Sequence, residues 1–129
     1  APLTADKRAM IGATAVAAMK QGAYLINTAR GPICDTGALV EGLRSGRLAA
    51  VGLDVLPREP ATTEDPLVAE WLADDPRTRG RILLNPHAGF YSPDAFVDLR
   101  RKAAETAVRY LATGRLDNCV NAEFLKRPR

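Results

Sequence analysis

Two cysteines, one histidine and one tryptophan are all that 129 residues contain of those types, and aromatic residues make up 5% of the chain. Cys34 and Cys119 are far apart and fit no metal or redox spacing, so they read as free thiols in a reducing compartment. The apolar stretch at 10–19, rich in Gly and Ala, is much too short to span a bilayer. No signal peptide is visible at the first residue. These absences predict a cytoplasmic protein with no membrane partner.

The formal net charge is +3, yet Lys126, Arg127 and Arg129 place three positive charges in the last four residues, and removing them leaves a neutral body. With no basic stripe and no aromatic interleaving, nucleic acid is not an expected partner. At 13.9 kDa, with 47% hydrophobic and 26% charged residues, the chain has the size of one domain and enough apolar content for a real core.

Ala23-Tyr24-Leu25-Ile26-Asn27-Thr28-Ala29-Arg30-Gly31 organises the rest. An apolar run of strand length ends in small polar residues and then delivers an arginine, which suits a buried parallel strand running out into a loop. The chain opens without methionine and reads as lacking its own beginning. Residues 4–11 suit a short helical turn, and 13–19 a brief Ala-rich helix with Gly22 as its left-handed cap. After the strand at 23–27, Asp35 or Thr36 can cap a helix bearing Leu39, Val40 and Leu43, which Gly46 can end. Residues 48–55 form the second apolar run, with Asp54 near its end. Three prolines forbid regular structure from 56 to 66, 67–72 suits a short helix, and 81–85 is a third strand-like run. Ser92-Pro93-Asp94 starts a long helix whose Phe96, Leu99, Ala103, Ala107 and Leu111 keep one apolar face down to Gly114, so this helix is expected on a packed surface. The β-α-β rhythm predicts an α/β fold: a partial doubly wound, Rossmann-like parallel sheet with flanking helices and a long C-terminal helix.

Arg30, Glu59 and His87 fall just past the ends of the three apolar runs, where a parallel sheet brings its strand ends to one edge. Arg can grip a carboxylate through two hydrogen bonds, and His can give and take a proton near neutrality. A Glu on the other ring nitrogen would set the tautomer, so the three describe proton transfer on a small carboxylate-bearing substrate. Each also has a plainer reading: Arg30 as a surface ion pair, Glu59 as a solvated loop acid, His87 as a structural residue, and Asp54 as a cap on the following turn. Spacing alone does not choose.

The blocks Met19-Lys20-Gln21-Gly22 through Arg30-Gly31, Gly52-Leu53-Asp54-Val55 with Glu59-Pro60, and Asn85-Pro86-His87-Ala88 resemble, in order, the D-isomer-specific 2-hydroxyacid dehydrogenases. Residues 87–92 and 118–121 look most like the branch containing the C-terminal binding protein corepressors, although that branch has a tryptophan where Phe90 stands. The resemblance implies that Arg30 binds the substrate carboxylate, that His87 is the acid/base at the C2 oxygen, and that Glu59 pairs with His87 and keeps it protonated for reduction. It also implies NAD as cofactor. Thr28, Ala29 and Arg30 would line its nicotinamide end, with His87 and Phe90 alongside, Asp54 would meet the carboxamide, and the segment from Ala1 to Lys7 would border the ribose. No metal is implied.

No G-x-G-x-x-G occurs in these residues. The expected organisation is therefore residues 1–91 as the carboxyl-terminal half of a dinucleotide-binding domain, and 92–129 as a helix and tail returning to a substrate domain. The implied function is NAD(H)-dependent interconversion of a D-2-hydroxy acid and a 2-keto acid by a homodimer. The alternative is a corepressor-type protein whose assembly NAD(H) gates.

Overall fold

The computed structural model describes residues 2–126, in two compact units, Ala1–Gly89 and Phe90–Arg129. The first unit is built on three parallel strands: β1 (Ala23–Asn27), β2 (Leu48–Leu53) and β3 (Ile82–Leu84), in the order β1-β2-β3. Asn27 pairs in register with Leu53, and Leu53 with Leu84, so all three carboxyl ends reach the same edge.

Helix α1 (Ala13–Ala18) precedes the sheet, and α2 (Thr36–Arg44) and α3 (Pro66–Ala73) are its crossovers. Each crossover starts at an aspartate. Asp35 accepts the amides of Gly37 and Ala38, and Asp65 those of Leu67 and Val68, satisfying donors that a helix start leaves open. The core lies between these helices and one face of the sheet, with Leu39, Leu43, Leu48, Leu53, Leu67 and Val51 fully buried. Gly22 is left-handed, at φ 75°, but it turns the chain into β1; α1 has already ended at Met19, whose amide bonds Val16.

The other sheet face departs from expectation. An apolar parallel strand is expected to be covered on both sides, yet Tyr24 and Ile26 are each 77% exposed and Leu83 is 70% exposed. No helix lies on that face within the first unit. The second unit contains α4 (Pro93–Thr113), capped by Ser92 through the amide of Ala95 and ended by Gly114 at φ 69°. Its apolar rhythm is expected on a packed surface, but no α4 residue is buried.

Candidate active site

Strand ends build the site. Each strand finishes in, or is followed directly by, a polar residue whose side chain ties down a loop: Asn27, Asp54 and Asn85. The Asn27 carbonyl accepts the Asp54 amide at 3.0 Å, and the Leu53 carbonyl accepts the Asn85 amide at 2.9 Å, which extends the ladder past the last strand residues.

Asn27 is buried and uses its whole amide. Its Oδ1 accepts the Ala29 amide at 2.9 Å, and its Nδ2 donates to the Arg30 carbonyl at 3.0 Å and to Cys34 Sγ at 3.5 Å. The Arg30 backbone is thus fastened to the sheet edge, while its guanidinium donates to the Ala29 carbonyl at 2.6 Å. Burial pushes the Cys34 thiol up, against the bond from Asn27, so it stays protonated. Gly31 then meets the Glu59 loop: a Cβ there would lie 2.0 Å from the Leu56 carbonyl carbon and oxygen. Only glycine permits that approach.

Leu56 carries the connection onward. Its amide donates to Glu59 Oε1 at 3.0 Å, and Glu59 Oε2 lies 2.7 Å from His87 Nδ1. The bond to His87, joined by the Leu56 amide, holds the Glu59 carboxyl below its ordinary range. A cavity of about 310 Å³ opens beside the pair, walled by Leu56, Pro60, Ala61 and Pro86.

Asp54 holds the loop that carries the imidazole. Its carbonyl accepts the His87 amide at 2.8 Å. Its carboxylate accepts Asn85 Nδ2 at 2.7 Å, the Ala88 amide at 2.8 Å and the Gly89 amide at 3.0 Å on each oxygen. Burial raises its proton affinity, but the bonds from Gly89, Asn85 and Ala88 outweigh it and the carboxyl lies below its ordinary range. These bonds hold His87 at φ 53°, a left-handed conformation that disfavours ordinary side chains by roughly 1–3 kcal/mol.

The residues singled out from sequence are therefore placed unequally. Glu59 and His87 are in contact, Asp54 is directly behind them, and Arg30 reaches the same edge through Gly31 and Leu56. The plainer role for Asp54 is corrected in one respect: its carboxylate caps a loop 31–35 residues further along the chain, not the turn that follows it. Thr28 lines a groove of about 510 Å³ with Asp54, Asn85 and Gly89 at its polar end. Lys7 ends a 3-10 turn (Ala5–Lys7) whose neighbour Ala9 donates to the Pro32 carbonyl, which keeps it beside the Arg30 loop. Phe90 opens the second unit, with its ring edge-on to Tyr91 at 6.3 Å, and Ala1 lies outside the described residues. Sequence reasoning assigned no role to Asn27, Gly31, Asn85 or Gly89. The available signal was the repeated polar residue at each strand end.

No group of three or more His, Cys, Asp or Glu residues that can hold a metal occurs among the described residues. A parallel sheet with an arginine-bearing loop and a carboxylate-supported imidazole at its carboxyl edge has the layout of an open α/β sheet that takes a ligand at its strand ends. Residues 1–89 match the family described as D-isomer specific 2-hydroxyacid dehydrogenase, NAD binding domain, and the chain belongs to that family. It is 39% identical over 126 residues to a glyoxylate reductase of Aeropyrum pernix, covering 97% of this chain and 35% of the relative. Among solved structures, a D-2-hydroxyisocaproate dehydrogenase superposes with a TM-score of 0.78 at 29% identity, covering 91% of this chain and 37% of that one. The NAD-complexed D-isomer specific 2-hydroxyacid dehydrogenase of Lactobacillus delbrueckii ssp. bulgaricus gives a TM-score of 0.74 at 30% identity, over 93% and 38%. The chain spans about a third of the length of the relatives it matches. The corepressor-type alternative draws no support from these relatives.

Proposed function

We propose that this chain is the acid/base half of the NAD-binding domain of an oxidoreductase that interconverts a D-2-hydroxy acid and its 2-keto acid. The observation that carries the reading is the 2.7 Å contact between Glu59 and His87 at the carboxyl edge of the sheet. Arg30 grips the substrate carboxylate and so fixes which face of C2 is presented. His87 gives a proton to the C2 oxygen on reduction and takes it back on oxidation through Nε2, because Nδ1 is held by Glu59. Glu59 fixes the ring plane and balances the positive charge that the ring carries when doubly protonated.

The cofactor's nicotinamide supplies the hydride chemistry at C2 when bound. The residues present fit it. Asp54 Oδ1 already accepts three donors while Oδ2 accepts one, which leaves an acceptor site for a carboxamide N–H at the polar end of the groove that Thr28 lines. Ala29, Arg30 and His87 complete the nicotinamide side in this reading, and Lys7 the ribose side. Residues 1–91 then form the carboxyl-terminal half of the dinucleotide-binding domain, and 92–129 the return toward a substrate domain. A cytoplasmic homodimer is the assembly we assign, and the two free thiols support its reducing compartment.

The test is turnover of pyruvate, glyoxylate and longer 2-keto acids with NADH by a protein carrying these residues together with a glycine-rich half. His87→Gln is expected to lower kcat by about 10²–10⁴-fold, and Arg30→Gln to raise KM. Absence of turnover with any 2-keto acid overturns the reading. The 129 residues alone are expected to turn over none of them, and measurable activity would overturn the assignment of a half domain.

A further inference from the structure

The Glu59–His87 contact rests on geometry that neither residue supplies. His87 sits in a left-handed backbone conformation, and its loop, 85–89, is gathered around one carboxylate. Two features make this gathering possible. Asn85, just past β3, donates its Nδ2 to Asp54 Oδ1 at 2.7 Å. Gly89 brings its amide within 3.0 Å of both Asp54 oxygens, and a Cβ on it would lie 2.8 Å from Oδ2 and 3.2 Å from the carboxyl carbon.

We propose that Asn85 and Gly89 are positioning residues for His87: they clamp the 85–89 loop onto the Asp54 carboxylate from both ends and so hold the imidazole Nδ1 against Glu59. Asn85 fits because the position needs a donor at the reach of one methylene; aspartate would set a second carboxylate against Asp54, and alanine would offer nothing. Gly89 fits because the amide must approach closer than any side chain allows at that point. Backbone bonds from the Asn85 and His87 amides fix the path of the loop, and the Asn85 side chain and the Gly89 amide fix the carboxylate on which the rest of it is seated, so losing either lets the ring shift. Neither residue need touch the substrate.

The inference rests on the Glu59–His87 reading, and one property of the chain separates the two. His87 is the sole histidine in the sequence, so the imidazole nitrogens give a single set of signals in a ¹⁵N-resolved NMR spectrum of the full 129-residue chain. Wild type is expected to show a protonated Nδ1 hydrogen-bonded to carboxylate, and Glu59→Gln to lose that signature. Asn85→Ala and Gly89→Ala are each expected to lose it as well, while the strand amides of Val51 and Leu53 keep their wild-type shifts. Should Gly89→Ala fail to fold, Asn85→Ala decides. Retention of the wild-type signature in the folded variants overturns the proposal and leaves the Glu59–His87 pair standing. Absence of the signature in wild type overturns both. In the longer protein that the proposed function requires, the same variants are expected to lower kcat by about 10²-fold with KM for the keto acid near wild type, since the Arg30 loop is untouched. A rise confined to KM would overturn the proposal.

Discussion

Gly31 shows how little at the scale of one residue separates a working site from a disassembled one. Its missing Cβ would stand 2.0 Å from the Leu56 backbone, and backbone cannot swing aside as a flexible side chain can. Gly31→Ala is therefore expected to force the Arg30 and Glu59 loops apart, with a stability loss of about 1–3 kcal/mol in urea denaturation. Glu59 makes a pH-dependent prediction. Its folded carboxyl lies below the ordinary value of 4.5 because it accepts from His87 and the Leu56 amide. A depressed carboxyl contributes stability that is present above its unfolded value and lost as pH falls through the folded one. The stability contributed by the pair is thus expected to be full above about pH 4.5 and lost on acidification below it, as read by urea denaturation, and Glu59→Gln is expected to remove that transition. Arg30, Glu59 and His87 were legible in sequence because each follows an apolar run. Gly31 and Gly89 were not, because their requirement comes from the Leu56 backbone and the Asp54 carboxylate, each 25 or more residues away in the chain.

Between elements, the seam of α2 and α3 contains the one strongly buried carboxylate outside the site among the described residues. Glu70 accepts Arg44 Nη2 at 2.5 Å and Nε at 3.1 Å, and Thr78 Oγ1 at 3.0 Å. The Arg44 contact, helped by Thr78, holds its carboxyl below the ordinary 4.5 despite burial. By the same sign, this contribution is full above 4.5 and lost on acidification. Melting temperature is expected to fall below that pH in wild type and to fall less in Glu70→Gln, which itself is expected to be less stable by about 2 kcal/mol at pH 7. Leu43, fully buried where α2 meets the sheet, is expected to cost about 2–5 kcal/mol as Leu43→Ala in the same denaturation assay. Element type and order were readable almost throughout, since capping and periodicity act over a few residues: Asp35 and Ser92 start their helices as their sequences suggest. Gly22 was misassigned because Met19 closes α1 through its own backbone, three residues early.

At the scale of the whole molecule, the first unit carries an exposed apolar sheet face. Tyr24, Ile26 and Leu83 present a contiguous apolar surface, and such surfaces mark contacts with another structure. The 129-residue chain is expected to bind an apolar dye strongly or to self-associate, as read by fluorescence and by sedimentation. Ile26→Glu with Leu83→Glu is expected to abolish both without unfolding the chain. An unchanged dye signal would show that this face is not the one exposed in solution. The strands read as buried on both sides from their apolar runs, but a run says only that water is disfavoured there, not which surface excludes it.

What the amino-acid order determined by itself was local: strand and helix positions, their caps, the β-α-β sequence, and a cation, an acid and an imidazole at successive strand ends. Tertiary structure alone decided that Asp54 serves a loop more than 30 residues away, that Gly31 seats against Leu56, and that one sheet face stays open. The division has a physical cause. Caps and periodicity are interactions within one or two turns of chain, whereas loop-to-loop approaches depend on strand register, which is set only when distant segments pair.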